Sequence, residues 1–293
     1  MQKLIAIIGP TSSGKSDLAV YLAKKFKGEV ISADSRQVYK GMNLGTGKIT
    51  RNEMKGVIHH LLDVTSPKKR FTVALYKKKA DRVIEDIIKR RRLPILCGGT
   101  GFYIEAVVDN ILIPEVPPDL ELRKELEQRT NFELFLMLKK LDKKRAEGID
   151  RFNKRRLVRS LEIILKTKKK IPPLKKKGFP YPVLLIGIKK EKEELEQRIK
   201  ERLWQRLKKG MVSEVEKLHE SGVSFKRLEE FGLEYRWISL YLQKTISYNE
   251  MVKRLEKDIV NFSKRQMTWF KKDKRVQWVK SKEEAENLVN NFL

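Results

Sequence analysis

Gly9, Gly14, Lys15 and Ser16 stand in "GPTSSGKS", directly after the apolar run "KLIAIIG". Their spacing is G-x-x-x-x-G-K-[ST], the pattern of a loop that cradles phosphate oxygens between a strand and a helix. Glycines let consecutive backbone N–H groups turn inward, and the N-terminus of the following helix adds partial positive charge. Lys15 is placed to reach the distal phosphate, and the Ser16 hydroxyl to bind Mg²⁺. Thr11, Ser12 and Ser13 complete the arc. The loop implies a polyphosphate ligand without saying whose phosphates they are.

Two further segments carry groups suited to chemistry. One is "ISADSRQVYKGMNLGTGK", with Asp34, Ser35, Arg36 and Gln37 just after an apolar stretch. In open α/β sheets ligands bind at the carboxyl ends of strands, which places this cluster beside the phosphate loop. Asp and Ser also cap helices, but capping accounts for one of these residues and not for the cluster. The other segment is "LPILCGGTGFYIEA", where glycines allow close backbone approach to a ligand and Thr100 supplies a hydroxyl. A plain glycine turn is the alternative. Its apolar run ends without the acidic residue that helps many phosphate-loop NTPases hold Mg²⁺, which weakens an NTPase assignment.

Those segments need a frame to hold them. Leu4–Ile8, Glu29–Ser32, Val57–Leu62 and Leu93–Cys97 read as strands, with helices over Lys15–Phe26 and Thr72–Arg91 between them. This alternation predicts an α/β fold, a parallel sheet covered by helices on both faces. The Pro-marked "ILIPEVPPDL" breaks the pattern. Helical segments follow at Asp119–Gln128, Asn131–Leu141 and Arg155–Lys166, up to "KKKIPPLKKKGFPYP". Strand-like Val183–Ile188 then resumes the core, and the remainder is mostly helix: Lys192–Lys209, Met211–Glu220, Leu233–Leu242 and Tyr248–Phe270. We therefore expect a core of 1–113 and 181–293 interrupted by a helical insertion at 114–180.

Composition narrows the partners. With 293 residues and 40% apolar content the chain can bury a substantial core. No apolar stretch approaches the roughly 20 residues needed to span a bilayer, and the short N-terminal run does not resemble a secretory signal. A cytoplasmic monomer with no membrane partner is expected. The single cysteine, Cys97, excludes internal disulfides and cysteine-rich zinc modules. Net charge is +28 and unevenly spread. Arg151 to Lys177 holds twelve Lys or Arg against Glu162 alone, and Lys264 to Lys282 holds eight against Asp273. Two such blocks fit a polyanion such as nucleic acid, although a lysine-rich solvated surface would also carry them.

Other features are more ambiguous. His59 and His60 are adjacent, so on a strand they face opposite ways and make a poor metal pair. Trp204, Leu207, Met211, Val215 and Leu218 have helical spacing and read as core. In "FSKRQMTWFKKDKRVQW", Phe262, Trp269, Phe270 and Trp278 interleave with cations that include Arg265. Such a mixture suits RNA, where aromatics stack on bases, and suits an amphipathic core helix equally well.

Taken in order, "GPTSSGKS", "ISADSRQVYKGMNLGTGK", "GGTGFYIEA", "NKRRLVRSLEI", "GMVSEVEKL" and "FSKRQMTWF" resemble the tRNA dimethylallyltransferases along almost the whole chain. "DSRQVY" beside "GGTG" is far more specific than the phosphate loop. The resemblance implies that Gly9, Thr11, Ser12, Ser13, Gly14, Lys15 and Ser16 hold the diphosphate of dimethylallyl diphosphate with Mg²⁺. It implies that Asp34 takes the proton from the N6 amine of the adenosine next to the anticodon, and that Thr100 lies at the reaction centre. It assigns Ser35, Arg36 and Gln37 to the extruded adenosine and its neighbours. Arg123, Arg155, Arg156 and Arg159 correspond to tRNA contacts in a mobile helical domain, and Arg198 and Arg202 to arginines near the diphosphate. One departure is visible: many members have a sequence like "AIGY" followed by a basic residue where this chain has "FGLEYRW".

Three competing readings differ in what they predict. A phosphate-loop small-molecule kinase would turn over ATP and leaves "DSRQ" unexplained. An adenylate prenyltransferase would not need the basic insertion. A non-enzymatic RNA-binding module has no use for a complete phosphate loop.

Overall fold

The computed structural model describes residues 2–114, 116–172 and 175–293. Glu115, Pro173 and Leu174, in the two Pro-marked connections, lie outside the described residues. The chain divides into two compact units, 1–110 with 178–293, and 111–177.

The first unit opens with β1 (Leu4–Ile8), α1 (Lys15–Lys25), β2 (Gly28–Ser32), α2 (Arg51–Met54), β3 (His59–His60), α3 (Val73–Lys89), β4 (Leu93–Gly98) and α4 (Gly101–Val108). The second unit contains α5 (Leu120–Glu127), α6 (Asn131–Leu141), α7 (Lys143–Glu147) and α8 (Lys154–Thr167). The first unit resumes with β5 (Val183–Ile188), α9 (Lys192–Lys208), α10 (Met211–Glu220), α11 (Phe225–Phe231), α12 (Leu233–Leu242), α13 (Tyr248–Phe270), β6 (Gln277–Val279) and α14 (Lys282–Phe292).

The strands form one parallel sheet in the order β3-β2-β4-β1-β5-β6. A strand covered on both faces is apolar at every position, and all five residues of β1 are buried. Alternation splits them: Leu4, Ala6 and Ile8 pack with Tyr76, Ala80, Ile84 and Ile87 of α3, while Ile5 and Ile7 pack with Leu18, Ala19 and Leu22 of α1. Each fully buried Leu or Ile contributes roughly 1.5–3 kcal/mol, so the sheet is a rigid base for the loops at its carboxyl edge. A separate apolar cluster ties Val38, Tyr39 and Met42 to the C-terminal helices through Leu203, Met211, Val215, Tyr235 and Leu255.

Several expectations need correction. The third strand shrinks from Val57–Leu62 to His59–His60, because Leu61 at φ 62° and Asp63 at φ 55° turn the chain off the sheet edge. Strand β6 and helix α14 go beyond the expected elements. "VQWV" is only a short, mostly apolar run between Arg275 and Lys280, and its pairing with β5 is long-range. In the stripe with helical spacing, Leu207, Met211, Val215 and Leu218 are buried core residues, but Trp204 is exposed. Gly210, at φ 92°, breaks the run into α9 and α10.

The second unit packs Leu126, Leu134, Leu138, Leu157, Leu161 and Ile164 into its own small core. Thr130 and Glu133 form a reciprocal cap at the start of α6, and Asn153 caps α8. Its ends are joined by an antiparallel bridge between Ile111 and Lys176. The unit therefore begins and closes a few residues before the expected limits of 114 and 180.

Candidate active site

The phosphate loop runs from β1 to α1, with Gly14 at φ 93° as the residue before the helix. Lys15 lies over the loop and its Nζ donates to the Pro10 carbonyl at 2.5 Å. Burial lowers the Lys15 pKa to about 8; nearby Arg202 pushes in the same direction and Asp34 opposes it. The buried Ser13 Oγ has no hydrogen-bond partner among the described residues. An orphaned buried hydroxyl just before the N-terminus of α1 suits an oxygen-rich anion.

Asp34 follows β2 and does two jobs at once. Its Oδ1 accepts from the N–H groups of Arg36 at 2.8 Å and Gln37 at 3.2 Å, which closes the turn. No hydrogen bond reaches its Oδ2 among the described residues, so the cap fixes the carboxylate while leaving one oxygen for a substrate. Thr100, from the end of β4, locks to that turn: its Oγ1 accepts from the Ser35 N–H at 3.0 Å, and its own N–H donates to the Ala33 carbonyl at 3.2 Å. Gly98 permits this approach, since a Cβ there would stand 2.1 Å from the Ala33 oxygen. Neighbouring Cys97 is buried, and burial pushes its pKa up to about 12, so it stays a neutral thiol.

The other expected residues are distributed unevenly. Gln37 accepts from the Ser32 hydroxyl at 3.1 Å and faces the carbonyls of Thr46 and Gly47. Arg36 turns away from the loop: its Nε donates to the Phe231 carbonyl at 2.9 Å, and its guanidinium lies 5.5 Å from that ring. It thereby braces the "FGLEYRW" segment, where Gly232 and Leu233 both take positive φ. Arg202 crowds Gly47, where a Cβ would lie 3.2 Å from its Nη2. Burial, followed by repulsion from Arg206, lowers the Arg202 pKa. Arg198, one turn earlier on α9, pairs with Glu194 at 3.0 Å and lines a cavity of ≈ 210 Å³ with Ser13, Asp17, Lys190 and Lys280. Arg265 is exposed on α13, 5.9 Å from the Phe262 ring. Of the aromatics beside it, Phe270 is core and Trp278 packs on Gly187, whereas Trp269 lies against Gly101 and stays partly exposed.

In the second unit the four arginines expected to contact tRNA separate into two kinds. Arg123 forks onto the fully buried Glu162 at 2.7 and 2.8 Å, and Arg159 joins the same carboxylate while donating to the Val116 carbonyl at 2.9 Å. Burial works to raise the Glu162 pKa, but these donors outweigh it and the net shift is downward. Arg123 and Arg159 thus hold the unit together. Arg155 and Arg156 are exposed and carry no ion pair among the described residues.

What holds the "NLGTGK" loop has no signal in the sequence. Glu214 accepts from the N–H groups of Asn43, Leu44 and Gly45 at 2.9, 2.6 and 3.0 Å, and from the Tyr235 hydroxyl at 2.9 Å. Arg206 donates to the Leu44 and Gly45 carbonyls at 3.1 and 3.3 Å and pairs with the buried Glu234 at 3.0 Å. These residues lie some 160 positions or more from the loop, and no local pattern announces them. His60 serves structure too: its Nε2 meets the buried Glu29 at 2.7 Å. No cluster of three or more His, Cys, Asp or Glu able to hold a metal occurs among the described residues. No helix there is long and apolar enough to cross a membrane.

Comparison with known proteins agrees with this geometry. The IPP transferase family model matches residues 37–273. A tRNA dimethylallyltransferase of Acetivibrio thermocellus is 40% identical over 302 residues, covering 100% of this chain and 96% of that protein. The crystal structure of the full-length tRNA isopentenylpyrophosphate transferase from Bacillus halodurans superposes with a TM-score of 0.74 at 36% identity, over 100% of this chain and 95% of that one. A eukaryotic dimethylallyltransferase acting on tRNA gives a TM-score of 0.78 at 27% identity, over 92% and 70%. With a phosphate loop, an "ADSRQ" turn and a "GGTG" turn gathered at one sheet edge, and with relatives matching along its length, the chain belongs to the IPP transferase family of tRNA dimethylallyltransferases.

Proposed function

We propose that this protein transfers the dimethylallyl group of dimethylallyl diphosphate to the N6 amine of the adenosine 3′ of the anticodon in tRNA. The observation that carries the reading is the facing of two chemistries within one unit. Lys15, at the end of the loop after β1, stands ready for an anionic leaving group, and Asp34, in the turn after β2 on the same carboxyl edge of the parallel sheet, stands ready for a proton.

The N6–carbon bond forms as the allylic carbon–oxygen bond breaks, the amine proton passes to Asp34, and diphosphate departs. An adenine amine is a weak nucleophile, and a positioned carboxylate that removes its proton contributes about 10²–10⁴-fold. Lys15 and the N-terminus of α1 stabilise charge that grows on the diphosphate. Thr100 and Asp34 are held in one hydrogen-bonded turn, so the base is oriented before substrate arrives. The adenosine must leave its stack to present N6, and the exposed Arg155 and Arg156 offer cations to the RNA backbone.

The donor set suits Mg²⁺ held through the ligand. Ser16 is exposed at the start of α1. Its hydroxyl would offer Mg²⁺ a hard oxygen ligand beside the diphosphate. When bound, the ion supplies charge neutralisation to the diphosphate.

Incubation with labelled dimethylallyl diphosphate, Mg²⁺ and unmodified tRNA tests the reading. Label at the adenosine 3′ of the anticodon is the expected result. ATP turnover without RNA labelling, or label appearing only in free adenylate, overturns it.

A further inference from the structure

Gln266 occupies a position that no part of the chemistry above requires. It lies on α13 with 7% exposure, and both ends of its amide are committed to backbone. Oε1 accepts from the N–H of Thr11 in the phosphate loop at 2.8 Å, and Nε2 donates to the carbonyl of Gly99 in the "GGTG" turn at 2.8 Å. One side chain therefore spans the loop that faces the leaving group and the turn that carries Thr100. Three residues on, the same helix presents Trp269 to Gly101, where a Cβ would fall 2.4 Å from the indole. Gly99 is equally constrained, since a Cβ there would stand 2.2 Å from the Gln266 Nε2.

We infer that Gln266 is a positioning residue that sets the distance between the diphosphate-holding loop and the acceptor-side turn. This role rests on the reaction proposed above and adds to it the element that keeps its two halves in register. A side-chain amide offers an acceptor and a donor side by side. A carboxylate cannot donate to the Gly99 carbonyl, and an apolar side chain leaves that buried carbonyl and the half-buried Thr11 N–H unpaired. Gly99 precedes Thr100 directly, and Thr11 precedes the Ser12–Ser16 arc, so the amide couples the placement of Thr100 to that of Lys15. In-line displacement needs the amine, the allylic carbon and the diphosphate oxygen aligned, and misplacement of about 1 Å costs on the order of 10²-fold in rate. Neither half-site is built by Gln266 alone, so each ligand should still bind when the link is cut.

Single-turnover transfer from saturating dimethylallyl diphosphate to saturating tRNA is measured for wild type, Gln266→Met and Gln266→Glu. Affinities for inorganic diphosphate and for tRNA are measured separately by calorimetry and filter binding. The expected result is a transfer rate lowered about 10- to 100-fold with both affinities within about threefold of wild type. Gly99→Ala keeps Gln266 but displaces its amide; it should show the same split and provides the test where Gln266→Met is unstable. Combining Gly99→Ala with Gln266→Met should add no further loss, because both cut one link. A Gln266→Met or Gly99→Ala rate within about twofold of wild type overturns the inference, as does a rate loss that merely tracks reduced affinity. Absence of transfer by wild type overturns the reaction and this role together, whereas an active wild type with an unimpaired variant overturns the role alone.

Discussion

The Lys15 ammonium donates to the Pro10 carbonyl at 2.5 Å, closing the phosphate loop upon itself. The same lysine has its pKa lowered from 10.5 to about 8 by burial. A depressed lysine pKa means that the charged form is disfavoured in the fold. Below about pH 8 that cost is present in full; between about 8 and 10.5 the unfolded chain still holds the proton that the folded one has released, so this group's contribution to stability rises with pH. Diphosphate binding runs the other way, because it needs the ammonium. Affinity for inorganic diphosphate should fall as pH rises through about 8, by up to about tenfold per pH unit. Lys15→Arg keeps its charge throughout and should remove that dependence, as titration calorimetry across this range would show.

Asp34→Asn separates the two tasks of Asp34. Asparagine retains an Oδ1 acceptor for the N–H groups of Arg36 and Gln37 but cannot take a proton from an amine. Turnover should drop about 10²–10⁴-fold while the melting temperature and tRNA affinity stay near wild type. A collapse of tRNA binding in Asp34→Asn would make the residue structural.

Glu214→Ala should act on stability and on the "NLGTGK" loop together. It strips the acceptor from three backbone N–H groups and from the Tyr235 hydroxyl. The loss expected is about 2–4 kcal/mol, measured by denaturant unfolding.

The insertion arginines should separate in the same way as their partners do. Arg155→Gln and Arg156→Gln should weaken tRNA binding and reduce the slope of log affinity against log salt by roughly 0.7–0.9 for each phosphate no longer neutralised. Arg123→Ala leaves the fully buried Glu162 with Arg159 as its remaining cation and should cost about 1.5–3 kcal/mol of stability. An unchanged salt slope in both the Arg155 and Arg156 variants would place the RNA on another surface.

Much of the core is legible in local pattern. The phosphate loop declares itself by spacing, and β1, β4 and β5 by continuous apolar runs, since strands buried on both faces have no polar face to alternate. Asp34 and Thr100 fall near the loop because parallel strands put their carboxyl ends on one edge. The weak elements leave little local signal. β6 is three residues long and gains its stability from pairing with β5. The third strand reads too long because its apolar letters continue through Leu61 and Leu62, although Leu61 already takes positive φ.

The division between Arg155–Arg156 and Arg123–Arg159 is invisible in the chain, because all four look alike as letters. Burial of Glu162 decides which of them are consumed. The same holds for Gln266, which sits 255 residues from Thr11 and 167 from Gly99. Sequence by itself determined which chemistry is present, a phosphate cradle, a carboxylate and a hydroxyl, because backbone geometry over a few residues fixes each motif. Tertiary structure alone decided how those pieces are spaced and which charges are free to act, because both depend on pairings between residues distant in the chain that no local pattern encodes.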